Sequence, residues 1–315
     1  MTASPLRIVY FGTPGFAVPA LQTLIDSRHD VVALVSQPDR PKGRGHKLQP
    51  TPTKIAAETA HVRVLQPSKV KDRAFHSELA AFAPDLGVVA AYGRIIPDVV
   101  LAIPRFGMIN IHASLLPKYR GAAPIHRAVI DGEHETGVTI MRVVTELDAG
   151  PMFATERRTI GPNETTPEVE RALAAAGASL ALRVIEQIAS GEAVETPQDH
   201  AQATYAAKIE RHEGTIAWTL PAERIHNLVR GLQPWPLVTV SLDGMRCRFH
   251  RSAVTDESSD ATPGTVTSVA NGALSVATGD RRVLQILEMQ PEGKRVMPVR
   301  DFLSGHSVSV GTSLT

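Results

Sequence analysis

The sequence predicts an α/β protein in which a parallel sheet is followed by a smaller, β-rich unit. Over roughly the first 190 residues, short apolar runs alternate with segments of helical periodicity. This alternation ends after a long alanine-rich segment, and from about residue 208 several short β-prone runs follow one another. The 315 residues suit two domains, because one domain typically takes roughly 100 to 200 residues.

The first unit is predicted from a repeating strand–helix pattern. An apolar strand over residues 6–11 runs into Gly12-Thr-Pro-Gly15, and apolar residues then recur at helical spacing up to Ile25. Further strands are predicted over 31–36, 62–65, 86–91 and 108–112, extended segments over 137–143 and 152–160, and helices over 53–60, 70–82, the residues after Pro124, and 166–189. Such alternation is typical of a Rossmann-like parallel sheet with helices on both faces.

The second unit is predicted to be a small β-barrel of the OB type. One helix is expected over 221–232, followed by strands over 238–242, 246–253, 264–269, 274–278 and 283–287. Asp243-Gly244 and Asn271-Gly272 are strong signals for two-residue hairpin turns. We therefore predict a first domain over 1–190, a polar linker over 191–207 and a β-barrel domain over 208–315.

Composition excludes several classes of protein. The 33 Lys and Arg residues nearly balance the 32 Asp and Glu residues, so the net charge of +1 does not by itself indicate a nucleic-acid partner. The single cysteine, Cys247, rules out an internal disulfide and a multi-cysteine metal site. The first residues lack the pattern of a signal peptide, and no stretch is expected to reach the ~18 apolar residues of a membrane span. We expect a cytoplasmic protein.

Polar residues interrupt one apolar strand of the predicted sheet. In Met108-Ile-Asn-Ile-His112, the two-residue period of a strand places Asn110 and His112 on one face, ~7 Å apart. Ligands bind at the carboxyl ends of strands in open α/β sheets, so the pair lies where a site is expected. Taken alone, an Asn-x-His pair is more often a satisfied polar pair at a strand end.

Asp148 is the third candidate catalytic residue. It precedes Ala149-Gly150-Pro151, and such a position also suits an ordinary turn residue. Together, Asn110, His112 and Asp148 offer an amide donor for an oxyanion, an imidazole that exchanges protons and a carboxylate that orients it. No serine or cysteine nucleophile accompanies them, which favours direct attack by a substrate amine over a covalent acyl-enzyme.

Longer motifs surround these residues and extend over nearly the whole chain. They are Asn110-Ile-His112-Ala-Ser114-Leu-Leu-Pro117-Lys-Tyr-Arg-Gly-Ala-Ala-Pro124, Glu135-Thr-Gly-Val-Thr-Ile-Met141, Asp148-Ala-Gly-Pro, Phe11-Gly-Thr-Pro14, Gln37-Pro-Asp-Arg-Pro-Lys-Gly-Arg-Gly45, Ala91-Tyr-Gly-Arg-Ile-Ile-Pro97 and Pro234-Trp-Pro236. This set resembles the formyltransferase family that uses 10-formyltetrahydrofolate. The resemblance is closest to members whose acceptor is the methionyl group of initiator tRNA.

The resemblance implies a reaction and a role for each candidate. The α-amino group of methionine on initiator tRNA would attack the formyl carbon carried by N10 of the folate, a step of translation initiation. Asn110 would hydrogen-bond the oxyanion, and His112 would polarise it or shuttle a proton. Asp148 would set the state of the imidazole and help deprotonate the amine. The folate, a co-substrate, would lie against Ser114, Leu115, Leu116, Pro117 and Val143. No metal is needed for this chemistry.

Two basic segments are candidates for the tRNA. Four cations, Arg40, Lys42, Arg44 and Lys47, fall within eight residues on a predicted loop, which without the resemblance could equally be a solvated surface loop. The resemblance makes it the loop that meets the acceptor end of the tRNA. In the second unit, Arg246 and Arg248 share one strand face with His250, and this basic face could hold the tRNA backbone.

Other functions remain open at this point. A glycinamide ribonucleotide or amino-sugar formyltransferase would share the Asn, His and Asp residues, and a formyltetrahydrofolate hydrolase would use water instead of the amine. A nucleotide- or RNA-binding module without catalysis is a third alternative, but Gly12-Thr-Pro-Gly15 is neither a dinucleotide fingerprint nor a phosphate loop. The basic loop and the β-rich second unit favour the tRNA acceptor.

Overall fold

A computed structural model describes residues 4–42 and 47–315, and these form two compact units. The first unit comprises the described residues up to Pro124, together with Thr136–Arg158 and Glu170–Ala206; the second comprises Ile125–Glu135, Thr159–Val169 and Ala207–Thr315. The units are thus interleaved along the chain. The domain boundaries at residues 190 and 208 stay a prediction.

The elements before residue 207 follow the predicted alternation closely. The strands are β1 Arg7–Gly12, β2 Asp30–Val35, β3 Arg40–Lys42, β4 Lys47–Gln49, β5 Val64–Leu65, β6 Leu86–Ala90, β7 Met108–His112, β8 Arg120–Gly121, β9 Glu135–Arg142, β10 Met152–Thr159 and β11 Tyr205–Ala206. The helices are α1 Val18–Ile25, α2 Pro52–Thr59, α3 Arg73–Ala81, α4 Asp98–Leu101, α5 Pro124–Asp131 and α6 Thr166–Ser190. The short elements β3, β4, α4, β8 and β11 were not predicted.

A seven-stranded sheet with the order β10-β9-β7-β6-β1-β2-β5 forms the centre of the first unit. The five strands from β7 to β5 run parallel, which confirms the predicted Rossmann-like sheet. Their residues are almost all apolar and buried, as expected for strands covered on both faces. The chain leaves β1 toward β2 on one side and later returns to β6 on the other, so a crevice opens at the carboxyl ends of β1 and β6.

The sheet is mixed at one side. Strand β9 runs antiparallel to β7, with Asn110 opposite Met141 and His112 opposite Thr139. An antiparallel strand beside an otherwise parallel sheet is common in doubly wound folds. It makes β7 an interior strand with neighbours on both sides.

Helix α6 is long and apolar. It spans 25 residues, and among the described residues it is the one helix that has the length and composition to cross a membrane. The expectation that no stretch would reach that length is therefore wrong on length and composition. Half of its most apolar 18-residue stretch is buried inside the structure. The core helix of a soluble protein can have the same length and composition.

The second unit is built on a six-stranded sheet. Its elements after residue 207 are α7 Ala222–Gly231, β12 Val238–Leu242, β13 Met245–Ser258, β14 Val266–Ala270, β15 Ala273–Ala277, β16 Arg282–Pro291, β17 Met297–Pro298 and α8 Val299–Leu303. Both predicted hairpins are confirmed: Asp243-Gly244 joins β12 to β13 and Asn271-Gly272 joins β14 to β15, all four residues with positive φ.

The predicted closed barrel is not confirmed. The strand order is β12-β13-β16-β15-β14, with β17 beside β16, and among the described residues no ladder joins β12 to β14. The chain end instead makes single bridges, from Leu314 to Leu242 and from Ser313 to Thr265. The sheet is therefore antiparallel and open: the free edges of its outer strands, β12 and β14, do not pair with each other and are bridged only by these terminal residues.

An ion pair within the second unit predicts a pH dependence of stability. Arg251 hydrogen-bonds Glu168 at 2.5 Å, and the backbone and hydroxyl of Thr165 also donate to that carboxylate. These contacts, with the bond from Arg251 the largest, lower the pKa of Glu168 from 4.5 to about 2. A carboxylate with a lowered pKa stabilises the fold above its unfolded pKa and loses that effect as the pH falls toward its folded pKa.

We expect Glu168→Gln to lower the free energy of unfolding by ~1 kcal/mol or less near pH 7, because both partners are partly exposed. In urea unfolding, the difference in free energy of unfolding between the variant and the parent should be constant between pH 7 and 5 and should shrink below pH 4.5. Glu257→Gln, at an exposed position on β13, is the matched control. A difference that grows on acidification would contradict the assignment.

Candidate active site

Strand β7 places Asn110 and His112 at the carboxyl end of the parallel sheet. Asn110 pairs with Val89 of β6, so the two strands end close together. Ile109 and Ile111 alternate with the polar pair and are buried at 0% and 3% exposure. Asn110 and His112 thus lie on one face of the strand, as predicted.

His112 and Asp148 come together as predicted. His112 is 5% exposed, and its Nδ1 atom lies 3.7 Å from Oδ2 of Asp148. Its Nε2 atom lies 2.9 Å from the backbone carbonyl of Tyr119. A carbonyl only accepts hydrogen bonds, so Nε2 carries a proton and Nδ1 is the nitrogen that faces the carboxylate.

The backbone around Asp148 is unusual. Asp148 has φ of 49°, a left-handed conformation that costs energy for a residue with a side chain. Its Oδ2 atom accepts a hydrogen bond of 2.8 Å from the backbone N–H of Gly121. Gly121 has φ of 115°, and a Cβ atom there would lie 2.9 Å from the carbonyl oxygen of Ala206. Glycine is therefore required at the position that presents this N–H.

The side chain of Asn110 is available to a ligand. It is partly exposed, and no group among the described residues hydrogen-bonds its amide. The Oδ1 atom of Asp148 likewise accepts no bond within the described part of the chain. An amide donor and a carboxylate oxygen at this edge of the sheet thus have hydrogen-bonding capacity left for a substrate.

The loop after β7 contains four of the predicted folate-contacting residues. Ser114 is fully buried, and its hydroxyl donates to the carbonyl of Lys118 at 2.7 Å. Leu116 is also buried, and its N–H bonds the hydroxyl of Thr139. These two residues therefore fix the loop, and the partly exposed Leu115 and Pro117 are its accessible side chains.

The opposite wall begins at Val143, the fifth predicted folate residue. Val143 packs against the apolar cluster that includes Phe11, Val89 and Tyr92. Beyond it, Val144 and Leu147 are 36% and 60% exposed, and the hydroxyl of Thr145 donates to Asp98 at 2.8 Å. The segment from Val143 to Asp148 thus presents two exposed apolar side chains, Val144 and Leu147, before it reaches the catalytic candidate.

The basic segment around Arg40 forms two paired strands in its described part, which corrects the predicted loop. Strands β3 and β4 pair antiparallel, with Arg40 opposite Gln49 and Lys42 opposite Lys47. The Arg40 side chain is exposed and donates to Oε1 of Gln37 at 3.1 Å. Arg44 lies outside the described residues.

The basic face of the second unit has unpaired cations. Along β13, Arg246 is exposed and Arg248 partly exposed, while the alternating Cys247 and Phe249 are buried. Within the described residues, neither arginine has a carboxylate partner. Neighbouring cations do: Arg251 pairs with Glu168, Arg281 with Asp260 and Arg282 with Glu223.

Two buried residues near Asp148 escaped sequence reasoning. Arg120, which belongs to the long motif after Asn110 but was given no role, is 1% exposed, and Gln198, in the predicted linker, is 5% exposed. They hydrogen-bond each other, and Gln198 also bonds the backbone carbonyl of Asp148. No local pattern signals this contact, because 78 residues separate the pair.

Residues 4–42 and 47–315 contain no group of three or more His, Cys, Asp or Glu side chains arranged to hold a metal ion.

Comparison with known proteins assigns the family. The family model described as formyl transferase matches residues 6–185, and that of the formyl transferase C-terminal domain matches residues 208–307. The methionyl-tRNA formyltransferase of Moorella thermoacetica is 44% identical over 309 residues, 98% of this chain and 99% of that protein. The methionyl-tRNA formyltransferase of Methylococcus capsulatus is 44% identical over 304 residues, 96% of this chain and 98% of that protein.

A solved structure shares the fold at low sequence identity. It is an N-formyltransferase from Helicobacter canadensis in complex with folinic acid and dTDP-3-aminofucose, with a TM-score of 0.69 and 17% identity over 91% of this chain and 99% of that chain. The formyl transferase model and both relatives cover the sheet edge described above. The chain belongs to the formyl transferase family, among the methionyl-tRNA formyltransferases.

Proposed function

We propose that this chain transfers the formyl group of 10-formyltetrahydrofolate to the α-amino group of methionine on initiator tRNA, for translation initiation. The observation that carries the proposal is the meeting of His112, Asp148 and an unpartnered Asn110 amide at the sheet edge, in a chain 44% identical to the named relatives over nearly its full length. A cytoplasmic location is part of the same proposal, because the acceptor serves protein synthesis.

The reaction defines what the side chains must do. A bond forms between the amine nitrogen and the formyl carbon, the bond from that carbon to N10 breaks, and one proton passes from the amine to N10. Asp148 accepts the amine proton through its open Oδ1 atom, and His112 exchanges a proton through Nδ1, 3.7 Å from the carboxylate. The Tyr119 carbonyl holds the ring so that Nδ1 keeps this direction.

Asn110 stabilises the oxyanion that develops on the formyl oxygen. Its amide has no partner to give up among the described residues, so it can donate as negative charge appears. A preorganised donor at the end of a buried strand does not need to reorient during the reaction. Asn110 therefore acts mainly on the chemical step, not on substrate affinity.

Two walls suit a folate. The accessible side chains of Leu115 and Pro117 lie on one loop, and the exposed side chains of Val144 and Leu147 lie on another. Apolar walls with a few convergent polar groups are typical of sites for flat, aromatic ligands. In this proposal, Ser114 and Leu116 contribute by holding their loop.

The acceptor tRNA is assigned to the two basic segments. Arg40 with Lys42, Arg44 and Lys47 forms one, and Arg246 with Arg248 the other. Unpaired arginines on an exposed strand are suited to phosphate oxygens, because no carboxylate in the described part of the chain competes for them. The named relatives favour this acceptor over glycinamide ribonucleotide, an amino sugar or water.

We expect purified protein to formylate methionyl initiator tRNA with 10-formyltetrahydrofolate and not to formylate glycinamide ribonucleotide or an amino-sugar nucleotide. Asn110→Ala should lower kcat by about 10²- to 10³-fold, and His112→Ala by about 10²- to 10⁴-fold. His306→Ala, at an exposed position in the second unit, is the control and should stay within about two-fold of the parent. Activity only on a small acceptor would overturn the assigned acceptor.

The hydrogen bond to Tyr119 predicts the tautomer of the neutral His112 ring. In protein labelled with ¹⁵N-histidine, the resonance that His112→Gln removes should show a protonated Nε2 and an unprotonated Nδ1. A neutral ring with its proton on Nδ1 would contradict the proposed direction of proton exchange.

Neutralising the cations of β13 should weaken the binding of tRNA but not the binding of the folate. For Arg246→Gln combined with Arg248→Gln, we expect KM for tRNA to rise and the salt slope of tRNA affinity to fall by about one per lost phosphate contact. KM for the folate should stay unchanged. Arg281→Gln is the matched control, because Arg281 is exposed on the same unit and already paired with Asp260. Equal effects of the double variant and the control would refute this surface.

A further inference from the structure

We infer that Gln198, oriented by the buried Arg120, is a positioning residue that holds Asp148 in the place and orientation needed for formyl transfer. The inference rests on the catalytic role proposed for Asp148. It assigns a function to a residue of the segment that sequence patterns predict to be a linker.

Gln198 uses both ends of its amide. Its Oε1 atom accepts hydrogen bonds from Nε and Nη2 of Arg120, at 3.1 and 2.8 Å. Its Nε2 atom donates to the backbone carbonyls of Asp148 and Gly150, at 2.8 and 2.7 Å. The guanidinium only donates and the carbonyls only accept, so a single orientation of the amide satisfies all four bonds.

Arg120 is buried at a cost. The guanidinium is 1% exposed, and its nearest carboxylate, on the 65% exposed Glu146, lies 3.7 Å away. Its Nη2 atom also lies 3.2 Å from Nδ1 of His200. Burying a guanidinium with so little charge compensation is unfavourable, and its strongest bonds go to Gln198. Orienting that amide is the function the contacts indicate.

The loop that receives these bonds needs external support. Asp148 has a left-handed backbone, with φ of 49°. At Gly150, a Cβ atom would lie 2.0 Å from the carbonyl oxygen of Arg142, so the loop passes very close to the adjacent strand. A strained conformation persists where surrounding bonds determine it, and Gln198 supplies two such bonds on either side of Ala149.

The position of Asp148 matters because the carboxylate must meet two partners at once. Oδ2 accepts the Gly121 N–H at 2.8 Å and faces Nδ1 of His112 at 3.7 Å. A displacement of ~1 Å in a catalytic group can cost about 10²-fold in rate. Loosening the loop should therefore lower kcat while leaving the folate and tRNA contacts in place.

Gln198→Glu separates positioning from packing. The carboxylate has nearly the same shape and still accepts from Arg120, but it cannot donate to the two carbonyls. We expect kcat to fall by about ten-fold or more, with KM for folate and tRNA within about two-fold of the parent. Gln202→Glu is the matched control: Gln202 is exposed, lies four residues further on and bonds only Asp199. Parental kcat in Gln198→Glu would overturn the inference.

A double-mutant cycle with Asp148→Asn tests whether the effect passes through Asp148. Gln198→Ala should cost ten-fold or more in the parent and less than about two-fold in Asp148→Asn, because the group it positions has already lost its function. Equal fold-losses in both backgrounds would show a general structural effect and refute positioning. If Gln198→Ala does not fold, Gln198→Glu takes its place in the cycle.

The cycle also separates this inference from the proposed function. A large loss of kcat in Asp148→Asn with parental activity in the Gln198 variants refutes positioning alone. Parental kcat in Asp148→Asn refutes the catalytic role of Asp148, and the inference with it.

Discussion

The candidate site depends on the hydrogen bonds that hold β7 between β6 and β9. Parallel pairing with β6 brings Asn110 to the carboxyl edge of the sheet, and antiparallel pairing with β9 fixes the direction of the same strand from its other side. A strand with two partners cannot slip by one residue without turning Ile109 and Ile111 out of the core. The two polar side chains are therefore fixed in register by the burial of their apolar neighbours, and the surrounding loops only complete the site.

Those loops are held by polar contacts from a distant part of the chain. The segment from Gln198 to Ala206 pairs through β11 with β8 and bonds the backbone of residues 117–123. It encloses Arg120, whose burial is tolerable only because several acceptors surround it. Buried polar groups that hydrogen-bond one another in this way specify one arrangement more strictly than apolar packing does. A carboxylate in a strained backbone can thus stay directed at an imidazole.

In the proposed function, chemistry and acceptor choice reside in different parts of the chain. The amide, imidazole and carboxylate can serve any formyl transfer to an amine, and the low identity to the Helicobacter canadensis structure shows how far sequences diverge while that fold persists. The segments proposed for a large anionic acceptor lie elsewhere, on the paired strands β3 and β4 and on the exposed face of β13. Within the described residues, Arg246 and Arg248 have no carboxylate partner while Arg281 and Arg282 do, so the distribution of partners, not the total charge, distinguishes the basic face.

The sequence by itself determined the parallel sheet, both hairpin turns and the strand of Asn110 and His112, because these depend on apolar periodicity and turn chemistry within a few residues. Its motifs also indicated the family, which the comparisons confirmed. The tertiary structure decided what depends on contacts across long stretches of chain. It left the second sheet open, because closure requires outer strands to meet, and it turned the arms of the predicted Arg40 loop into paired strands. It also brought Gln198 and Arg120 to Asp148, since an amide and a guanidinium 78 residues apart carry no local signal.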